Sequence, residues 1–357
     1  MRISTPILYR DLEIPYDQDD PDWSRLKSLA KKNGIQYVKS LKFGFCDFTV
    51  FGFCKALEDI LPKLGKDSLR RFEFGGLGRP THQMMKHLWS NQRSLRNLQF
   101  NFEILSPSVE EILQEDIPTL ELLENVDELD VNFAATVNAD SAHQLLSFLP
   151  LGKLRKVRIT VTPVRFLPSG VEYKFLSQHF PISLTHITLD SVSLPPPEEL
   201  QFDLYPCLTY LDLHNCRNTG PIMEAFRKPL LREFYYHLFS LDAPMEELSF
   251  LLQRFSTLEK LVLDIAWQRS SDCDLLALGI LTHGENLRSF LLWGPGFRSK
   301  DRSLHILTTA ARCRRLRQLG LEFDSDTIVK YCKACLLDPK LFETGCLISG
   351  RLFYSIR

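Results

Sequence analysis

One spacing constrains this chain more than any other feature. In Leu208-Thr209-Tyr210-Leu211-Asp212-Leu213-His214-Asn215-Cys216, leucine holds the first, fourth and sixth places and cysteine the ninth. The same apolar pattern precedes it at Val38/Leu41/Phe43, Leu69/Phe72/Phe74, Leu95/Leu98/Phe100, Val126/Leu129/Val131, Leu154/Val157/Ile159 and Leu184/Ile187/Leu189. It follows at Leu231/Phe234/Tyr236, Leu258/Leu261/Leu263, Leu287/Phe290/Leu292 and Leu316/Leu319/Leu321. The copies fall 23 to 31 residues apart. Three apolar places are easily matched in a chain that is 44% hydrophobic, whereas a register held along nearly its whole length is not.

The spacing is that of leucine-rich repeats, in which a short strand is followed by a turn and a return segment. Residues two apart in a strand share a face, so Leu211 and Leu213 point inward while Tyr210, Asp212 and His214 point outward. One unit cannot bury its own apolar face and needs neighbours. Strands stack about 4.8 Å apart while helices need about 10 Å, so the strands line the inside of a curve. The expected fold is an α/β solenoid, an irregular leucine-rich-repeat horseshoe of about eleven repeats, with a parallel sheet on the concave face and helices or extended returns on the convex face. Residues 1–36 are expected to form an N-terminal cap, 37–323 the repeat array and 324–357 a C-terminal cap.

The connecting segments refine this picture. Ile7, Leu8, Tyr9, Leu12 and Ile14 suggest a strand ended by Pro15, and Trp23–Lys32 a helix stopped by Asn33-Gly34. Apolar residues three and four apart predict return helices over Ala56–Leu64, His82–Ser90, Ser108–Leu113, Ala142–Leu149, Met223–Phe226, Met245–Phe255, Leu275–Thr282 and Leu304–Cys313. Pro195-Pro196-Pro197 and Pro206 exclude a long helix, so that return is expected to be extended. After Phe323, Ser325 would start a helix running to Leu337, and Cys346–Ile356 a closing hairpin about Ser349-Gly350.

Composition narrows the function. Lysine and arginine number 43 against 44 acids, a net charge of -1 that gives no field for nucleic acid or an acidic membrane. No apolar run is long enough to span a bilayer, and the acidic Asp17–Asp20 stretch near the N-terminus is no part of a signal peptide. Nine scattered cysteines read as reduced thiols, hence a cytoplasmic or nuclear location.

Motifs of catalysis are weak. Asp212, His214 and Cys216 alternate on one strand, but same-strand neighbours lie roughly 6–7 Å apart, too far for direct proton transfer. The ninth repeat place, shared by Cys216 and Cys46, is expected to turn inward and bond the neighbouring loop. Cys332-Lys333-Ala334-Cys335 lacks a second ligand pair for zinc. Gly75-Gly76-Leu77-Gly78-Arg79-Pro80-Thr81 lacks the third glycine of a dinucleotide loop and the lysine of a phosphate loop, and His82 and His87 do not form a zinc-protease pair. No enzyme activity, cofactor or metal is expected.

The outward side chains of the sheet carry more information. Their central row reads Lys42, Glu73, Gln99, Asp130, Arg158, Thr188, Asp212, Tyr235, Val262, Leu291 and Gly320. The first half is polar with mixed signs, and Glu128 and Asp130 can pair laterally with Lys156 and Arg158. The second half changes character: Tyr210, Tyr235, His237, Val262, Leu291 and Trp293 would form a contiguous outward patch. Soluble chains rarely expose such a patch without a partner, and aromatics at its centre are typical hot spots. These six residues are the expected site for a protein target, unless the C-terminal segment folds back over them.

The repeats resemble those of fungal F-box/leucine-rich-repeat proteins over nearly the whole chain. Pro6-Ile7-Leu8-Tyr9-Arg10-Asp11-Leu12-Glu13 looks like the segment that follows the F-box in that family. The resemblance implies a substrate receptor of a cullin-based ubiquitin ligase, in which the F-box docks an adaptor and the repeats hold the target. The F-box itself, with its Leu-Pro-x-Glu opening, is not found before Pro6, so an adaptor partner is expected only if an F-box is encoded upstream. A free-standing interaction scaffold with no link to ubiquitination stands as the alternative.

Overall fold

The computed structural model describes residues 10–14, 28, 31, 35–43, 58–74, 87, 88, 90–102, 125–134, 151–162, 180–194, 205–216, 230–238, 245–255, 257–265, 271–294, 305, 306, 308–321, 347 and 348. The chain forms two compact units, Met1–Leu184 and Thr185–Arg357.

The first unit carries β1 (Asp11–Ile14), β2 (Ser40–Phe43), β3 (Arg71–Phe74), β4 (Asn97–Phe102), β5 (Glu128–Ala134) and β6 (Lys156–Thr162). Each strand pairs parallel with the next in chain order. The second unit repeats the plan with β7 (His186–Asp190), β8 (Tyr210–His214), β9 (Glu233–Leu238), β10 (Lys260–Ile265), β11 (Ser289–Trp293), β12 (Gln318–Leu321) and β13 (Leu347–Ile348). These too pair parallel and in order. Parallel strands that succeed one another without a skipped place are the signature of a coil of repeats, an open α/β solenoid. Every predicted apolar triad ends in one of β2–β12, which accounts for the eleven repeats.

Register explains why the triads recur. Leu41, Phe72, Leu98, Leu129 and Val157 are Cα partners from strand to strand in the first unit. Ile187, Leu211, Phe234, Leu261, Phe290 and Leu319 are partners in the second. All are at most 3% exposed. A slip of one residue would turn every one of them to the other face, so burial itself holds the register. Phe72 packs against Phe43 and Phe100 at centroid distances of 6.1 and 5.9 Å, so the core beneath β2–β4 is a ladder of rings. Leu321 departs from the pattern and is half-buried at the end of β12.

The strand entrances share one hydrogen-bond device. The carbonyl of Arg70 accepts from the backbone N–H of both Arg96 and Asn97, and that of Arg232 from both Glu259 and Lys260. The same forked bond recurs from repeat to repeat, through Lys39, Arg96 and Asp127 in the first unit and Thr185, Thr209, Glu259 and Arg288 in the second. It satisfies the donors that precede each strand, groups that burial would otherwise penalise.

Two of the expected return helices are complete: α1 (Met245–Arg254) matches the predicted span to one residue, and α2 (Ser271–Thr282) begins four residues earlier than expected. They pack closely because Gly279 has no side chain: a Cβ there would lie 2.9 Å from Leu252 Cβ. Ser249 Oγ donates to Leu275 O at 2.7 Å across the same contact. The return over 56–64 is helical at 58–60 and tightens to a 3-10 turn at Leu61–Lys63, where Pro62 stands. Helical residues also fall within the expected 82–90 and 304–313 segments. The helices expected at 108–113, 142–149, 223–226 and 325–337, and most of the one at 23–32, lie outside the described residues. So does the proline run at 195–197; Ser191–Leu194, which leads into it, is non-helical, as expected.

At the ends, β1 starts at Asp11 and continues the register of the repeats, Leu12 lying opposite Leu41. Leu347–Ile348 adds parallel to β12, and the rest of the expected 346–356 hairpin lies outside the described residues. Among the described residues no helix is long and apolar enough to cross a membrane.

Candidate functional site

In each unit the strands have an inner face, already described, and an outer face formed by the alternate side chains. In the first unit the central outer row is Lys42, Glu73, Gln99, Asp130 and Arg158, in register as the sequence predicts. It neutralises itself. Lys156 Nζ meets Glu128 Oε1 at 2.5 Å and Lys42 Nζ meets Glu13 Oε1 at 2.9 Å. Arg71 pairs with Glu73, and Asn97 with Glu128. Asp130 has its carboxyl pKa raised by desolvation, with Glu73 adding to the shift and Arg158 opposing it. Charges on this face thus pair across and along the strands, as the alternating signs imply, although Glu73 is only 7% exposed.

In the second unit three outer rows run across the strands. The first is His186, Tyr210, Glu233, Lys260, Ser289 and Gln318; the second Thr188, Asp212, Tyr235, Val262, Leu291 and Gly320; the third Asp190, His214, His237, Asp264 and Trp293. The rings stack along and between these rows. Tyr210 lies 5.1 Å from His186 and 5.0 Å from Tyr235, centroid to centroid, and Lys260 Nζ sits 5.1 Å over the Tyr235 ring. The Tyr210 hydroxyl donates to Asp212 Oδ2 at 3.3 Å and that of Tyr235 to Glu233 Oε2 at 3.1 Å. Desolvation, followed by the nearby Glu233, drives the Tyr235 phenol pKa upward, so it stays a donor. In the third row, His237 stacks on His214 at 3.8 Å and tilts toward Trp293 at 6.1 Å.

Of the six residues read as a partner patch, Tyr210, Tyr235, His237, Leu291 and Trp293 are half-buried on this face. Val262 is a correction. It stands in the outer row but is only 2% exposed. The reason lies in size: a short β-branched side chain sits in register between Tyr235 and Leu291, both longer. Alternation along a strand assigns a face and says nothing of depth. Leu291 also leans over Gly320, since a Cβ there would lie 2.6 Å from Leu291 Cδ2. The face is therefore a ladder of rings threaded by two buried carboxylates, Asp212 at 6% and Asp264 at 9% exposure, rather than a continuous apolar patch.

Backbone hooks fix the histidine row. Ser191 and Asn215, at the ends of β7 and β8, take positive φ values of 57° and 47°. Their N–H groups thereby turn onto the carbonyls of His214 and His237, each at 2.7 Å. Asparagine tolerates this left-handed conformation better than most residues. Cys216 follows and turns inward. Its Sγ donates to the carbonyls of Leu189 and His214, each at 3.4 Å, and burial pushes the thiol pKa up to about 12. Such a thiol is a structural group and a poor nucleophile. The ninth-place reading thus holds for Cys216; Cys46 lies outside the described residues.

The expected separation of Asp212 and His214 does need correcting. His214 Nε2 approaches Asp212 Oδ1 to 2.9 Å, because the two side chains lean toward each other along the strand. On the neighbouring strands, His237 Nδ1 lies 3.7 Å from Asp264 Oδ2. Reasoning from one strand at a time missed His214 and Asp264 as members of the site; the recurrence of a polar residue at the place after the sixth, repeat by repeat, could have found them.

Other motifs add little. His87 Nδ1 lies 3.5 Å from Asn91 Nδ2, a contact between helix neighbours, while the 75–82 glycine stretch and the Cys332–Cys335 pair lie outside the described residues. A shallow notch between Arg232, Arg288 and Arg315 holds Glu259, which takes up Arg288 at 3.3 Å and Arg232 at 3.9 Å.

No protein-family model matches the chain, and no curated protein matches it. Among solved structures, one from Bacteroides fragilis is 10% identical, with 91% of this chain and 72% of that one covered and a TM-score of 0.33. A likeness that faint carries no argument.

Proposed function

We propose that this chain is a protein-recognition scaffold that captures a protein target on the outer sheet face of its second unit. The observation that supports this most is that Tyr210, Tyr235, Leu291 and Trp293, all half-buried, stand on one face of β8, β9 and β11, with the Tyr210 and Tyr235 rings 5.0 Å apart. Rigid aromatic side chains lose little entropy on contact and bury large areas, which is why they dominate interface energetics. The outer face of the first unit, paired charge against charge, offers a partner less. We read the role as binding rather than catalysis: the Cys216 thiol points into the core, and the Ser289 hydroxyl on this face donates to Gln318 Oε1 rather than to a base.

Affinity capture with the full chain tests the reading. Tyr235→Ala and Trp293→Ala should each release a protein that the unaltered chain retains, weakening the complex by about 1–2 kcal/mol or more. Thermal unfolding should stay nearly unchanged, since both side chains are only half-buried. A retained protein unaffected by either variant would overturn the assignment. Within this reading, the likeness of the N-terminal stretch to F-box receptors makes a ubiquitin-ligase substrate the target class to try first. Binding of the ligase adaptor to a version extended upstream of Met1 distinguishes that case from a free-standing scaffold.

A further inference from the structure

We propose that the edge of the first unit where its strands begin binds an acidic, extended polypeptide segment through Arg10, Lys39, Arg70 and Arg96. These four residues hold the same place in successive repeats, immediately before β1, β2, β3 and β4. Backbone bonds keep them in single file: the N–H of Lys39 donates to Arg10 O, that of Arg70 to Lys39 O and that of Arg96 to Arg70 O, at 2.8, 2.7 and 2.8 Å. Neighbours in the file are therefore one strand apart, about 4.8 Å. Arg10, Arg70 and Arg96 are exposed and Lys39 is half-buried. Among the described residues none of the four side chains has an ion-pair partner.

Nearby acids do not close the run. Asp67 accepts from the Arg93 N–H at 2.7 Å, and Glu128 takes Lys156. Asp11 stands one place on, opposite Ser40. Asp127 holds the next place in the file and ends the run. Like charges one strand apart repel in the free chain, and a bound anion relieves that cost.

The second unit shows what a carboxylate does in such a file. There Glu259 stands between Arg232 and Arg288, joined to both by the same backbone bonds. Its carboxylate takes Arg288 at 3.3 Å and Arg232 at 3.9 Å. In the first unit the corresponding cations stand side by side with no acid between them. An extended polypeptide sets alternate side chains about 6.8 Å apart on one face, so three of its carboxylates span the roughly 14 Å of the run. Single-stranded nucleic acid instead relies on bases stacked along several aromatics. Tyr37, 40% exposed, is the one exposed aromatic of the first unit among the described residues. The inference stands apart from the recognition face of the second unit.

The test is fluorescence anisotropy of a labelled peptide alternating glutamate and serine, titrated with the full chain. Arg70→Gln and Arg96→Gln should each weaken binding by about threefold or more, with thermal unfolding unchanged or raised. Asp127→Asn, which extends the run to Arg155, should tighten binding by about twofold. Arg288→Gln, in the file that Glu259 already fills, should leave it unchanged, as should Tyr235→Ala, which separates this edge from the aromatic face. No peptide binding up to about 1 mM would overturn the proposal. So would equal binding by the parent and both first-unit arginine variants, or tighter binding of a single-stranded oligonucleotide or of phosphatidylserine vesicles than of the peptide. Should both of those arginine variants misfold, Asp127→Asn decides: tighter binding supports the edge, and unchanged or weaker binding refutes it.

Discussion

His214 and His237 stack face to face, with ring centroids 3.8 Å apart and planes 20° from parallel. They stand in register on adjacent strands, and each has a carboxylate beside it, Asp212 for the first and Asp264 for the second. Residues 23 places apart in sequence meet here because the repeat places the same offset of each unit beside its neighbour. The outer face of the second unit is built on that relationship.

The neighbouring thiols give a direct prediction. Cys216 is 3% exposed with its pKa pushed up to about 12, whereas Cys207 is exposed. At pH 8 the native chain should be alkylated at Cys207 and spared at Cys216, with the difference erased in denaturant. Peptide mass spectrometry after a timed iodoacetamide pulse measures both. Equal labelling of the two in the native chain would mean that Cys216 is not inward.

That prediction rests on a feature legible without coordinates, because a cysteine at the ninth repeat place follows two buried leucines at a fixed offset. The triads were legible for the same reason: Leu41 and Phe72, or Leu211 and Phe234, are partners in the sheet as well as in the repeat. What was not legible was anything set by side-chain length. Val262 is in the predicted row yet buried, since depth depends on its neighbours Tyr235 and Leu291. The Asp212–His214 contact was hidden because strand spacing describes Cα atoms, while these side chains close several ångströms by leaning. The pairing of His237 with Asp264 needs two repeats read together.

Val262 gives the matching mutational test. Because it is 2% exposed, Val262→Ala should destabilise by about 1–3 kcal/mol, and Val262→Asp far more, through a buried unpaired charge. An exposed patch residue would show less than about 0.5 kcal/mol in the first case. Urea unfolding separates the two.

His283 links stability to pH. It is fully buried just beyond α2, its Nε2 lies 2.5 Å from Leu252 O, and desolvation lowers its pKa. Below the ordinary histidine value of about 6.5 the unfolded chain takes up a proton that the folded chain resists. The unfolded state then binds more protons, so this contribution is present above that value and is lost as pH falls toward the lowered one. The urea midpoint should therefore drop between pH 7.5 and 5. In His283→Gln the drop should be shallower; an unchanged slope would assign the effect elsewhere.

Gly294 closes β11 immediately after Trp293. Its φ is +132°, and a Cβ would fall 2.1 Å from Ile265 O. Backbone cannot move aside as a side-chain tip can, so Gly294→Ala should cost at least about 2 kcal/mol. The corresponding fall in Tm is roughly 4–8 °C, read by calorimetry. A variant as stable as the parent would show that the turn has another conformation.

Site-specific photocrosslinking tests the proposed recognition face most directly. A benzophenone side chain placed at Leu291, in the outer row of the second unit, should join the captured target in a single adduct, while the same group at Lys156, on the first unit's outer face, should not. Crosslinking from Lys156 with none from Leu291 would contradict the account.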